Sequence, residues 1–376
     1  MTLSPQPFRR NTSDQSICGP HDIIASIPGI LGYYPQESAI VVSLLDDASG
    51  AILLGPVVRT DLAHVDSLTG VLEQIPTEGV RAHLGLVVSR IPNSELVRDA
   101  VDALYAVADA EDRPLIDACW HVSEIATGTP YTMVFGPAPS ELGCCELNPE
   151  WITGTVSSVM AQATMEPLLA QGALPELERD DTRAYFDLAT DPDWPQTRAA
   201  MAMAHRRGQE MLEGACAHAG ACLDAARADL ERAADLLRKA ASRPFLEPAG
   251  QAELSELFAS RDDVELVAAV LSHSRLRDCL LRPALENPAG AGALLVAVAR
   301  NFEGVIRANA LSIWAIVAVQ LQLTARAGVA VECAQEELPG HSLSHILGQL
   351  LRNGQYEGMI ATALRGCDDM WEEIYR

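Results

Sequence analysis

The chain has 376 residues, of which 48% are hydrophobic and 21% are charged, so we expect two or more folded domains rather than a disordered chain. Its 51 acidic residues outnumber its 27 basic residues and give a net charge of −24. Because broad contacts with nucleic acids or anionic membranes depend on Lys and Arg, this balance argues against both as partners.

The sequence shows no pattern typical of export or of membrane insertion. Residues 1–17 are polar, lack an apolar signal core, and are predicted to form a flexible N-terminal arm. The most apolar stretch, 310–323, is too short to span a bilayer. The nine cysteines are odd in number and scattered, which fits a reducing compartment. We therefore expect a cytoplasmic protein.

An α/β domain with a mixed β-sheet flanked by helices is predicted over residues 18–175. A short helix begins at Pro20 and is expected to stop at Pro28. The strand, helix, strand, helix, strand rhythm that follows predicts three parallel strands, with a hairpin partner as an antiparallel strand at one edge. The predicted strands are 38–45, 52–62, 80–90, 115–125 and 131–135, and the predicted helices are 65–75, one beginning near Asn93 or Ser94, and 154–169.

An all-helical domain is predicted over residues 190–376, after an acidic, Pro-containing boundary near 175–195. Its first region, 197–241, is rich in Ala and is expected to break at its spaced glycines, Gly208, Gly214 and Gly220. Two interpretations of this domain stay open, a helical bundle and a tetratricopeptide-like repeat array. The period cannot be followed through three repeats, which favours the bundle. The predicted fold class is thus α+β or α/β, with a mixed sheet followed by an all-α domain.

Charged side chains fall where the predicted strands end. Arg59 and Asp61 lie two positions apart and should point to one face of their strand, while Arg90 and His121 lie near the ends of the next two strands. Ligands of open α/β sheets bind at such ends. Two arginines with a helix start near Asn93 suit an anionic small molecule. The alternative is a structural ion pair between Arg59 and Asp61.

The loop 32–38 is the second candidate site. Tyr34 is suited to stack on a ligand and Glu37 to accept a hydrogen bond or a proton, whereas the alternative is a loop that only joins a helix to a strand. The predicted ligand-binding residues are Tyr34, Glu37, Ser38, Arg59, Asp61, Arg90 and His121.

No catalytic residue, metal site or cofactor is predicted. Dinucleotide, phosphate-loop and nucleophile-elbow motifs are missing from the sequence. His341 and His345 lie four positions apart but lack the glutamate of a zincin, and Cys144-Cys145 lacks a second cysteine pair. Cys119 and His121 alternate on a strand, which alone does not make a nucleophile and base.

Several stretches resemble one known family. The first comprises DIIASIPGILG (22–32), YPQES (34–38) and VVRTDL (57–62), and it looks like the N-terminal signature of the actinobacterial domain-of-unknown-function family 4192. PGHSLSHILGQLL (339–351) is similar to that family's C-terminal region, and Cys144-Cys145 sits where such proteins often carry a Cys-Cys pair. The resemblance covers about residues 18–355 and implies no particular function.

One segment departs from the family pattern, because residues 320–328 are a weaker version of its Gly- and Ala-rich turn.

The leading hypothesis is a non-catalytic interaction or regulatory protein with a protein partner, since no catalytic motif is present and a large helical half suits groove contacts. The alternative is a small-molecule-binding or enzymatic α/β domain that uses the strand-end residues.

Overall fold

The computed structural model describes residues 19–46, 52–68, 79–108, 114–137, 149–189, 198–216, 220–243, 245–246 and 254–375. The predicted arm 1–17, the Cys144-Cys145 pair and most of the predicted helix 65–75 lie outside these ranges. The chain divides into two compact units. The sheet unit comprises 1–166 with 174–179, and the helical unit comprises 167–173 with 180–376.

Helix α1 (Pro20–Leu31) opens the sheet unit, and the expectation that it stops at Pro28 is wrong. The helix continues through Pro28 and ends at Gly32, whose left-handed backbone (φ 77°) lets its N–H donate to the Pro28 carbonyl. A Cβ on Gly29 would lie 2.5 Å from the Thr164 carbonyl oxygen. The close packing of α1 against Thr164 at this glycine therefore outweighs the helix-breaking effect of Pro28, which lacks a backbone N–H.

A six-stranded mixed sheet forms the centre of the unit, in the order β2-β1-β3-β4-β5-β6. Each neighbouring pair is antiparallel except β3 and β4, which are parallel. The strands are β1 (Ser38–Asp46), β2 (Ile52–Asp61), β3 (Val80–Val88), β4 (Ala118–Val122), β5 (Pro130–Phe135) and β6 (Thr153–Thr155).

The mixed sheet is confirmed, but the predicted row of three adjacent parallel strands is wrong. Strands β2, β3 and β4 do point the same way, yet β1 lies between β2 and β3 instead of at an edge. Apolar side chains cover both faces of β1, as an interior strand requires. Strand β2 carries Pro56, which lacks a ladder N–H and suits an edge.

Helices cover both faces of the sheet. Helix α1 packs with Ile40, Val42 and Leu86 on one face, and α2 (Glu95–Ala106), capped by the Ser94 hydroxyl, packs on the other.

The predicted helix 154–169 is wrong. That stretch contains the end of β6, two 3-10 turns (Val159–Ala161 and Ala163–Met165) and the start of a short helix. It follows the very short helix α3 (Pro149–Ile152).

After β6, every further regular element that the structure describes is a helix. The predicted break of region 197–241 at Gly208 and Gly214 is wrong, because one helix runs through both glycines. Gly220 directly precedes the next helix, as the break predicted there requires. In chain order the helices are α4 (Glu166–Ala170), α5 (Arg179–Ala184), α6 (Arg198–Ala215), α7 (Ala221–Lys239), α8 (Leu254–Leu257), α9 (Arg261–Leu271), α10 (Ser274–Asp278), α11 (Leu281–Glu286), α12 (Pro288–Asn301), α13 (Gly304–Gln320), α14 (Thr324–Glu337), α15 (Ser342–Arg352) and α16 (Tyr356–Tyr375).

Helix α13 is the centre of the helical unit. Every residue from 306 to 319 is buried, as expected for a helix that is apolar on all sides. Trp314 stacks on Phe245 with ring centroids 4.7 Å apart and meets the edge of Phe186. Arg307 is also buried, and its guanidinium donates to the carbonyls of Ala299 and Phe186. None of the described helices is both long enough and apolar enough to cross a membrane.

Candidate functional site

Six of the seven predicted ligand residues lie along one edge of the sheet. Because β2, β3 and β4 point the same way and β1 points the opposite way, the ends of three strands meet the start of the fourth. The register confirms this meeting, since Ser38 pairs with both Asp61 and Val88, and Val88 pairs with Val122. We call this edge the strand-end rim, defined as residues 36–38, 59–61, 89–91 and 121–124.

One half of the strand-end rim is organised by Arg59. Its Nε donates to the Ser38 hydroxyl over 2.9 Å, and its Nη2 lies 2.5 Å from Asp61 Oδ1. The Ser38 hydroxyl in turn donates to the Gln36 carbonyl over 2.6 Å. The ion pair considered from the sequence is therefore present, and it is also hydrogen-bonded to the start of β1.

The other half of the rim is organised by the Glu37 carboxylate. Its Oε2 accepts from the Ser89 hydroxyl over 2.8 Å, and its Oε1 accepts from the Arg90 backbone N–H over 3.2 Å. The Glu37 backbone has φ 40°, in the left-handed region that residues other than Gly adopt at a cost. Its carbonyl accepts from the Leu62 N–H over 3.0 Å, which fixes the backbone in this conformation.

His121 lies behind these contacts and is half-buried. Its Nε2 lies 3.0 Å from the Ser89 carbonyl oxygen, and because a carbonyl only accepts, Nε2 carries the proton. Burial lowers the pKa of His121, while the hydrogen bond to Ser89 and the charge of Glu37 raise it by less. The imidazole is therefore neutral near pH 7 and supports the backbone at the end of β3.

The outer surface of the rim combines an ion pair with exposed apolar side chains. Arg90 Nη2 lies 3.0 Å from Glu124 Oε2, and the two side chains are 70% and 52% exposed. Ile91 is 65% exposed, and Leu96, at the start of α2, is 49% exposed. Ile91, three residues after the end of β3, and Leu96, in the first turn of α2, were not among the predicted ligand residues.

Tyr34 is the predicted ligand residue that the structure places elsewhere. Its ring is partly buried and packs against the apolar cluster between α1 and the sheet. Its backbone N–H donates to the Glu176 carbonyl over 2.8 Å. Cys119, which alternates with His121 on β4, has no accessible thiol, because it is fully buried, and burial raises its pKa.

A buried polar pair lies further along the same sheet. The Ser43 hydroxyl and His83 Nδ1 are 3.0 Å apart on paired positions of β1 and β3, and burial lowers the pKa of His83. The His83 backbone N–H donates to the Asp117 carboxylate over 2.8 Å. Ser43 has no exposed surface, so this pair joins two strands within the sheet.

The histidines of the family-like C-terminal segment have structural contacts. His341 is buried, with Nε2 2.8 Å from Asn309 Oδ1, whereas His345 Nε2 lies 2.7 Å from the Pro339 carbonyl oxygen. Across the described ranges, no group of three or more His, Cys, Asp or Glu side chains has the arrangement of a metal site.

Comparison with known proteins gives one family and no individual relative. No curated protein and no solved structure matches the chain. One family profile, described as a domain of unknown function, matches residues 20–357. This range includes all the sequence stretches quoted above, the whole strand-end rim and most of the helical unit. On this match over nearly its whole length, the chain belongs to the DUF4192 family.

Proposed function

We propose that this chain is a non-catalytic interaction protein of the cytoplasm and that it binds a protein partner through the strand-end rim. The observation that carries the proposal is the exposure of Ile91 next to Arg90 and its ion pair with Glu124. Arginine is one of the residue types enriched at binding hot spots, and an exposed apolar side chain next to it adds area that a partner can bury.

The internal contacts of the rim support a recognition surface with a fixed shape. Glu37, Ser89 and His121 hold the backbone at the end of β3, from which Arg90 and Ile91 project. A surface held in place loses little conformational freedom on binding, which favours affinity. The net charge of −24 favours a partner with a basic contact surface and disfavours nucleic acids and anionic membranes.

Affinity capture from native extract with matched variants tests this proposal. The Ile91→Asp variant places a charge on the rim, and the Val134→Asp variant places the same charge on an exposed position of β5. We expect wild type and Val134→Asp to capture the same partner reproducibly and Ile91→Asp to lose it. Equal capture by all three chains, or no reproducible partner at all, would overturn the proposal.

A second candidate function is the binding of an anionic small molecule at the same rim. It is favoured by the contacts of Glu37, because two donors of the rim, the Ser89 hydroxyl and the Arg90 N–H, already hold a carboxylate. A thermal-shift screen of carboxylates and phosphates on a Glu37→Gly variant tests this candidate, because Glu37 occupies both donors in the wild type. A ligand that prefers the native state raises the melting temperature.

A further inference from the structure

We infer that Ser89 and Arg90 form a carboxylate-binding cradle which Glu37 fills from within the chain, and which the carboxylate of a small ligand can fill in its place. The cradle comprises the Ser89 hydroxyl and the Arg90 backbone N–H, which bind the two oxygens of one carboxylate separately. The inference rests on the second candidate function and names its ligand class.

The donors of the cradle are oriented before any carboxylate arrives. The Ile91 N–H donates to the Ser89 oxygen over 3.2 Å, so the hydroxyl proton remains available for the carboxylate. The His121 ring donates to the Ser89 carbonyl over 3.0 Å and thereby fixes the backbone of the same residue. Because these contacts do not involve Glu37, the cradle keeps its shape when the Glu37 carboxylate leaves.

Glu37 occupies the cradle at a backbone cost. Its φ of 40° is one of two left-handed values among the described residues other than glycine. Such strain persists where surrounding contacts enforce it, and here the Leu62 N–H and the two cradle donors do so. Glu37 is exposed to solvent, so its carboxylate can exchange with a dissolved one without any opening of the sheet.

Two ion pairs lie near the cradle. Arg90 is paired with Glu124, and Arg59, which is bound to Ser38 next to Glu37, is paired with Asp61. These four charges balance, so the Ser89 hydroxyl and the Arg90 N–H themselves hold the carboxylate. In the wild type, a free carboxylate competes with one attached to the same chain, whose effective concentration is high. A simple carboxylate should therefore bind measurably only when Glu37 is replaced.

The test uses acetate as the probe and the full chain with the substitution Glu37→Gly, which removes the carboxylate and accepts the left-handed backbone. We expect acetate, but not chloride at equal ionic strength, to shift the Arg90 amide resonance saturably in this variant and to leave the wild type unchanged. Adding Ser89→Ala to Glu37→Gly should weaken acetate binding about tenfold, because one hydrogen bond to a charged group is lost.

An Arg90 amide that does not respond to acetate in Glu37→Gly, or an equal response with Ser89→Ala added, would overturn the inference. Should Glu37→Gly fail to fold, Glu37→Asn serves instead, since Asn tolerates left-handed backbone and its shorter side chain carries no charge. A negative result with acetate leaves the Ile91-dependent capture of a protein partner intact, so the two proposals fail separately.

Discussion

His341 and Asn309 are joined by a 2.8 Å hydrogen bond in the interior of the helical unit. Asn309 Nδ2 donates to the Leu271 carbonyl, so its Oδ1 must accept from both His341 Nε2 and Arg277 Nη1. His341 Nδ1 accepts from the Ser344 N–H and thereby caps α15. The imidazole is therefore neutral, protonated on Nε2 only.

Acid should weaken the helical unit through this histidine. Burial, with Arg277 and His345, lowers the pKa of His341 from 6.5 to about 4. The unfolded chain therefore binds the proton more tightly, so the stabilising contribution is complete above the unfolded pKa and is lost as pH falls toward the folded pKa. We expect a loss of about 2 kcal/mol between about pH 7.5 and about pH 5, measured by urea unfolding.

A His341→Gln variant should flatten this dependence, because no proton is taken up at position 341 on unfolding. His345→Gln is the matched control, since His345 contacts the Pro339 carbonyl at an exposed position. If His341→Gln and wild type lose stability equally with acid, the neutral imidazole is not the origin of the effect.

Removing Glu37 should lower the pKa of His121 further. The Glu37 carboxylate is one of two influences that raise this pKa against the larger effect of burial. The Glu37→Gln variant keeps the side-chain length and removes the charge, so the protonated imidazole loses a favourable neighbour. Titration of the His121 ring protons by NMR measures the change. An unchanged or raised pKa would contradict the geometry of the rim.

The substitution Asn287→Asp should lower the free energy of unfolding, although helix N-caps usually tolerate an exchange of Asn for Asp. The Asn287 Oδ1 caps α12, but its Nδ2 also donates to the carbonyls of Leu237, Arg238 and Ala240 at the end of α7. Asp at this position keeps the cap and turns a carboxylate toward three carbonyl oxygens. We expect Asn287→Asp to lose about 2 kcal/mol or more in urea unfolding.

Ser94→Asp is the matched control for this prediction, because the Ser94 hydroxyl only accepts from the Val97 N–H. Asp and Ser are comparable caps, so this variant should remain within about 0.5 kcal/mol of wild type. Similar losses for the two Asp variants would show that the donors of Asn287 contribute little.

Gly29→Ala should disrupt the packing of α1 within the sheet unit. The added Cβ would lie 2.5 Å from the Thr164 carbonyl oxygen, a backbone atom that cannot rotate away. We expect a loss of about 1–3 kcal/mol, as for other overpacked sites. Gly366→Ala is the control, because it lies within α16 with open space around it and should not destabilise the chain. Equal melting temperatures for the two variants would contradict the close approach.

The sequence predicts elements and their shared edge better than it predicts strand order. Alternation and turn residues located β1, β2, β3 and α2, because those signals are local. The position of β1 between β2 and β3 depends on which strand edges pair, although its continuous apolar run and Pro56 in β2 were available signals. The predicted charged residues nevertheless lie together at the strand-end rim, because the direction of each strand, and not its position in the sheet, decides at which edge it ends.

Apart from the Arg59–Asp61 ion pair, the contacts within the rim could not be predicted, because they join residues from separate strands. Its place in the loop 32–38 made Glu37 a predicted acceptor of a hydrogen bond or a proton, but neither its partner, the Ser89 hydroxyl, nor its left-handed backbone has a local signal. Helix α6 shows the same limit. Its glycines are typical of a break, yet Gly208 allows close packing, with a Cβ there 2.5 Å from the Ala269 carbonyl oxygen.

Glu37 directly precedes β1 and Ser89 directly follows β3, and the adjoining residues Ser38 and Val88 are paired in the ladder. The separation of the carboxylate from the hydroxyl is thus set by hydrogen bonding between two strands, not by the loops that connect them. The Leu62 N–H after β2 and the His121 ring on β4 fix the same two residues from the neighbouring strands. Transferring the arrangement to another protein therefore requires four neighbouring strand ends in this order, and the two paired strands alone would not suffice.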